Sequence, residues 1–344
     1  MTGLKDVYIE FNSRHDDNII KEIDIRLPSS VETLYFSGVD LTLTNIDKIT
    51  LGAKNVKKIT ITDMNHVDEI NLYTFARFEK LTEFIFKNSG YIYITNLKEL
   101  TTIKKLTLEN IKIDEKMVND ISQISGLEEI TFNHCLHSDK LIDLSPLENL
   151  KNVISFEITG SDYDNLISVI HSFRDLKKLT ITGNDQITDF IDCNILTNLE
   201  YIYARYAKFK DIEEDLYRLK SLTELYIEFL LIYASGNRFT NMDPVLGMEN
   251  LEILDLSDNR IETIPSDIGK LKHLKKLILN DNNITNVPDS LNSLIELNTI
   301  HLYNNENLRG KALTNKSLED CRYCTSFENN CSSLKCYDDD DDDN

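Results

Sequence analysis

Tryptophan is absent from this chain, and 344 residues contain only 11 glycines and 5 prolines. That scarcity excludes collagen-like and low-complexity chains. Long apolar runs are missing as well: the best, FLLIYASG from Phe229, falls far short of the ~18 residues a membrane helix requires. The start, MTGLKDVYIEFNSRHDDN, shows no basic segment followed by an apolar one, so no signal peptide is visible. Basic side chains are also in deficit, with 37 Lys and Arg against 58 Asp and Glu and a formal charge of −21. The aspartates from Asp338 to Asp343 supply only a small part of it, so the acidity belongs to the whole chain. Nucleic acid and anionic membranes both need Lys and Arg against phosphates, so neither is expected as a partner, and a basic protein is favoured. Phosphate-loop, nucleophile-elbow, zinc-protease and dinucleotide-loop motifs are all missing, so neither an enzyme nor a cofactor is expected.

What the chain does contain is a period. LEILDLSDNRIETIPSDIGKLKH begins at Leu251, LKKLILNDNNITNVPDSLNSLIE at Leu274 and LNTIHLYNNENLRG at Leu297, 23 residues apart. They share L-x-x-L-x-L-x-x-N. Weaker copies begin at Leu4, Val31, Val56, Leu81, Ile103, Leu127, Val153, Leu176, Leu199 and Leu222, spaced 22 to 29 residues apart, giving thirteen candidate repeats. Alternation of apolar residues within each copy predicts a strand with one buried face, and stacked copies make a parallel sheet over a continuous core. Ile268 and Leu271, after Pro265, fit a short helix or 3-10 turn on the return.

Leu251, Leu254, Leu256 and Asn259, followed by Ile261, Ile264 and Pro265, resemble the signature of the leucine-rich repeat family. The copies in the C-terminal third are most similar to the 23-residue repeats of intracellular, Ras-pathway-type members. The resemblance implies an α/β solenoid, a horseshoe with a concave parallel sheet and short convex helices or 3-10 turns. It also implies a role for the asparagine that follows each strand: its amide bonds to buried backbone of neighbouring coils. Asn12, Asn184, Asn259, Asn282 and Asn305 occupy this place, whereas Val39, Met64, Ile111, Ala207 and Leu230 do not, predicting looser turns there. Cys135 also sits there, flanked by His134 and His137. Cysteine often replaces this asparagine in the family, so a structural thiol is favoured over a metal ligand.

The function implied is protein recognition through residues that face outward between the leucines. On two adjacent repeats these are Tyr201, Tyr203 and Arg205, then Glu224, Tyr226 and Glu228, with Asp255 and Ser257 on the next. Tyrosine and arginine dominate interface hot spots, which makes this the leading candidate surface. Tyr8 and Tyr35 form a second candidate. Thr60, Thr107, Thr131 and Thr180 suggest a solvated face elsewhere.

Three regions are expected: a solenoid over residues 1–310, a cysteine-containing cap over 311–337 and a disordered acidic tail over 338–344. No cap precedes Leu4, which points to a fragment of a longer product. Cys321, Cys324, Cys331 and Cys336 follow C-x2-C-x6-C-x4-C, too tight for paired zinc knuckles, and resemble the disulfide-stapled caps of extracellular repeat proteins. Pairing cannot be assigned, and free thiols remain the competitor. Asn283, Asn315 and Asn330 open N-x-[ST] glycosylation triplets. The lack of a signal peptide points to the cytoplasm, whereas paired cysteines on a truncated chain would point outside the cell. A non-catalytic scaffold, the recognition part of an extracellular receptor or secreted protein, and an acidic chaperone of basic proteins are the alternatives.

Overall fold

The computed structural model describes residues 3–10, 26–38, 50–64, 68–90, 92–135, 141–160, 163–184, 191–205, 214–228, 239–309 and 313–322. Two compact units divide the chain, Met1–Asp175 and Leu176–Asn344. The repeat strands of the first unit are β1 (Asp6–Glu10), β2 (Thr33–Ser37), β3 (Lys58–Thr62), β5 (Glu83–Gly90), β7 (Lys105–Ile111), β8 (Glu129–Asn133) and β10 (Ser155–Thr159). All run parallel in that order. Two small parallel pairs flank them, β4 (Glu69–Asn71) with β6 (Tyr93–Thr95) and β9 (Ile142–Asp143) with β11 (Tyr163–Asp164). The second unit carries β12 (Lys178–Thr182), β13 (Tyr201–Arg205), β14 (Glu224–Glu228), β15 (Ile253–Asp255), β16 (Lys276–Ile278), β17 (Thr299–His301) and β18 (Asp320–Arg322), again parallel and in sequence. The architecture is an α/β solenoid.

Each of the first thirteen repeat strands begins two residues after a repeat start read from the sequence. The reason is the register. Leu34, Ile59, Phe84, Leu106 and Ile130 stand opposite one another on successive strands and are all at most 1 % exposed. Phe36, Ile61, Phe86, Leu108 and Phe132 form a second row, two residues further on. In the second unit Leu179, Ile202, Leu225, Leu254, Leu277 and Ile300 repeat the first row. Each such side chain contributes roughly 1.5–3 kcal/mol by leaving water, and a slip of one residue would turn every one outward.

The return segments are short. The 3-10 turns Ser266–Lys270 and Asp289–Ser293 follow Pro265 and Pro288, whose fixed φ suits the entry, and bury Ile268 and Leu291. Two longer returns in the first unit form α-helices, α1 (Glu115–Ser122) and α2 (Leu166–Ser172). Asp114 caps α1 by accepting from the Met117 N–H at 2.8 Å.

The asparagine positions act as the resemblance implied. Asn282 Nδ2 donates to the carbonyls of Leu256, Leu279 and Asn280 at 2.9–3.2 Å, and its Oδ1 accepts from the Ile261 N–H at 2.9 Å. Asn259 reaches Ile227, Leu256 and Ser257, and Asn305 reaches Leu279, Leu302 and Tyr303. Asn184 holds Thr182 O. Cys135 takes the same role in the first unit: its Sγ donates to Leu108 O at 3.2 Å, and burial pushes the thiol up to about 12. Where Met64 replaces asparagine, its own N–H turns to Ser89 Oγ at 3.1 Å. Asn12, Val39, Ala207 and Leu230 lie outside the described residues.

Replacing Asn282 with alanine leaves several buried backbone groups without partners, so unfolding in denaturant should show a loss of about 2–4 kcal/mol. Its exposed neighbour supplies the comparison, because Asn283→Ala should change stability by no more than ~0.5 kcal/mol.

Candidate protein-binding surface

Odd positions of each strand point away from the core, so the register decides which outward residues meet. On β13 and β14, Tyr201 stands opposite Glu224, Tyr203 opposite Tyr226 and Arg205 opposite Glu228; on β15, Asp255 stands opposite Tyr226. The structure thus gathers the predicted residues on one sheet face of the second unit. The Tyr226 ring lies between the other two, with centroids 5.7 Å from Tyr201 and 5.5 Å from Tyr203, both tilted. Such tilted pairs let ring edges meet ring faces.

Polar tips fix these rings. Arg205 Nη1 donates to Tyr203 Oη at 2.8 Å, and the guanidinium carbon sits 5.7 Å from that ring centroid. Tyr226 Oη donates to Glu224 Oε2 at 3.0 Å. Burial pushes the Tyr226 hydroxyl well above its usual range, helped by the bond to Glu224 and by the nearby charges of Glu224, Tyr201 and Asp255. Asp255 Oδ1 accepts from the Ser257 N–H at 3.0 Å and from Ser257 Oγ at 2.7 Å, which draws Ser257 into the interior at 5 % exposed. Tyr201, Tyr203, Arg205, Glu224, Tyr226 and Asp255 are each half-buried, held in place yet open on one side.

The same face continues where no repeat was predicted. Strand β18 pairs with β17 and places Cys321 opposite Ile300, so the parallel sheet runs into the segment expected as a cap. LEDCRY from Leu318 carries the repeat spacing with cysteine in a leucine place, a signal masked by that substitution. Arg322 grips both oxygens of Asp320 at 2.9 and 3.1 Å, and His301 Nε2 lies 3.0 Å from Asp320 Oδ2. The Arg322 bonds first, and His301 second, hold the Asp320 carboxyl below its usual range. Tyr303 packs beside His301 with ring centroids 6.0 Å apart.

Cys321 lies on β18, whereas Cys324, Cys331, Cys336, Asn330 and the aspartate run lie outside the described residues. Asn283 is exposed. Asn315 is not: at 7 % exposed it donates through Nδ2 to Leu294 O and accepts from Ser317, so its amide has no room for a glycan in the folded chain. Among the described residues no helix is long and apolar enough to cross a membrane.

In the first unit Tyr8 and Tyr35 do meet, with centroids 5.3 Å apart and Tyr8 71 % exposed. Thr60 departs from the solvated face expected of it. It is 6 % exposed because Tyr35 and Ile85 flank it on both sides. Glu157, unnoticed in the sequence, stands half-buried opposite Thr131. Burial raises its carboxyl above the usual range, and the charge of Glu109 adds to the effect.

Residues 235–284 and 249–306 match the family model described as leucine rich repeat. No curated protein matches the sequence. Among solved structures the chain is similar to an internalin, InlF, of Listeria monocytogenes at 20% identity and a TM-score of 0.56, covering 88% of each chain. It is also similar to a leucine-rich repeat protein of Leptospira interrogans at 18% identity and a TM-score of 0.57, covering 93% of this chain and 78% of that one. A plant peptide hormone receptor, RGFR1 in complex with RGF2, gives 18% identity and a TM-score of 0.54 over 86% of this chain and 52% of the receptor. At these identities the likeness concerns the fold alone.

A raised carboxyl means that the folded state disfavours the Glu157 charge, so this group subtracts stability above its folded pKa and nothing once pH falls below the unfolded value. Glu157→Gln should therefore melt higher than the parent at neutral pH, with the gap closing in acid. An equal gap at both pH values would show that the charge is not the cause.

Proposed function

We propose that this chain, which belongs to the leucine-rich repeat family, is a non-catalytic recognition module that holds a protein partner on the outward sheet face of its second unit. One observation carries this: Tyr201, Tyr203 and Tyr226 form a contiguous half-exposed aromatic surface in which Tyr203 is held by Arg205 and Tyr226 by Glu224. A tyrosine held in one rotamer before binding loses little further entropy on contact, and it offers a large apolar face with a polar tip. The open sheet face suits contact better than chemistry, which favours enclosed pockets. The plant receptor of the same fold was solved in complex with RGF2, which supports a protein or peptide occupant. The formal charge of −21, together with Glu224 and Asp255 on the face, favours a basic partner.

A second setting of the same function has its own support. Cys321 opens a run of four closely spaced cysteines and Asn283, in an N-x-[ST] triplet, is exposed, both of which suit the recognition portion of a secreted or surface protein. Mass spectrometry of the native protein decides this: free thiols throughout and a bare Asn283 would reject it.

The function is tested by affinity purification from the native source followed by calorimetry. Tyr203→Ala with Tyr226→Ala should weaken the captured partner at least tenfold, in keeping with hot-spot losses of about 2 kcal/mol or more, and leave a folded chain with normal circular dichroism. Undiminished affinity would remove this surface from the function.

A further inference from the structure

Two groups of carboxylates in the second unit contrast. Those at the strand entrances are neutralised by lysines one repeat away: Glu200 meets Lys177 Nζ at 2.8 Å and Glu252 meets Lys275 Nζ at 2.7 Å. Glu224 and Asp255 on the outward face, and Asp281 in the turn after β16, are held by neutral donors. Glu224 accepts from the Tyr226 hydroxyl and Asp255 from Ser257, while Asp281 accepts from the side-chain amides of Asn280 and Asn304, both at 2.7 Å. A neutral donor fixes a carboxylate's direction without cancelling its charge. These three carboxylates therefore keep oriented negative charge that those at the entrances do not, on a face that also carries Arg205 and Lys276. On β18, by contrast, Arg322 and His301 enclose Asp320.

Two aromatic side chains stand in this field. Tyr226 adjoins Glu224 and Asp255. Tyr303 adjoins Asp281: the Asp281 N–H donates to Tyr303 O at 3.0 Å, and Asn304 bonds the Asp281 carboxylate. Burial raises both hydroxyls, and Asp255 contributes to each, with Arg322 opposing at Tyr303. A tyrosine face beside a carboxylate suits a guanidinium or ammonium, which gains from the ring and the charge together.

Resting on the proposed function of this face, we propose that its occupant is an extended basic peptide segment lying across the strands. One cationic side chain sits at Tyr226 between Glu224 and Asp255, and a second at Tyr303 beside Asp281. The spacing follows from the register. Three strand steps separate β14 from β17, ~14 Å at ~4.8 Å each, and Tyr303 lies two residues further along its repeat, ~7 Å, so the two places are ~16 Å apart. That is about five residues of extended chain.

Labelled glycine-serine peptides carrying two arginines test this directly. The arginines are placed adjacent, about five residues apart or about ten apart, and binding to the full chain is read by fluorescence anisotropy at low salt. The intermediate spacing should bind about fivefold or more tighter than the adjacent one, as a two-point contact requires. Glu224→Gln with Asp281→Asn should abolish that preference, whereas Glu200→Gln with Glu252→Gln should keep it. Affinity indifferent to spacing, or an equal effect from the two double variants, would overturn the proposal by showing that net charge alone attracts the peptide. If the spacing preference is absent but the tyrosine double variant still loses the native partner, this proposal falls and the proposed function stands. If the preference is absent and that variant keeps its partner, both fall.

Discussion

A coil of some two dozen residues cannot bury its own leucines, and it leaves backbone carbonyls pointing inward where water does not reach. Everything else in this protein depends on how those carbonyls are satisfied. Asn259, Asn282 and Asn305 each spread one amide over three of them, and Cys135 does the same work more weakly through a thiol. Once the turn is fixed in this way, the next strand has to start at a set place, and the two apolar rows fall into line. Register, strand spacing and the direction of every outward side chain then follow together.

Because the inward positions are committed to this frame, the outward ones are free to vary. The outward faces of the two units show how differently the same frame can be dressed. The first carries threonines, a tyrosine pair and Glu157; the second carries three tyrosines, an arginine held to one of them and several oriented carboxylates. Strand entrances are spent differently again, on lysine–glutamate pairs such as Lys57 with Glu32 and Lys104 with Glu128. Each exposed pair contributes at most ~1 kcal/mol, yet opposite charges in neighbouring repeats disfavour a coil docked in the wrong order.

Much of the frame was legible in the sequence because burial leaves a period-two trace that survives substitution of Leu by Val, Ile or Phe. Thirteen strand starts could be read that way, and the fourteenth could not, since Cys321 resembles a cap cysteine more than a core residue. The gathering of Tyr201, Tyr203, Tyr226 and Asp255 was legible for the same reason: position in the repeat fixes the face. What lay beyond reach depends on neighbours across strands. Nothing in the triplet at Asn315 reveals that its amide is buried against Leu294 O, and nothing at Thr60 announces the side chains of Tyr35 and Ile85 beside it. Glu157 looks in sequence like any other acidic surface residue, and only its packing and the proximity of Glu109 distinguish it.

The asparagine bonds also have a direction. Asn259 reaches back to Ile227, Asn282 to Leu256 and Ile261, and Asn305 to Leu279 and Ile284, in each case a residue of the preceding coil. The inward backbone of a coil is thus completed by the asparagine of the coil made after it. As the polypeptide leaves the ribosome, each new turn closes the open groups of the layer on its N-terminal side, so assembly can keep pace with translation and expose no more than one unfinished layer at a time.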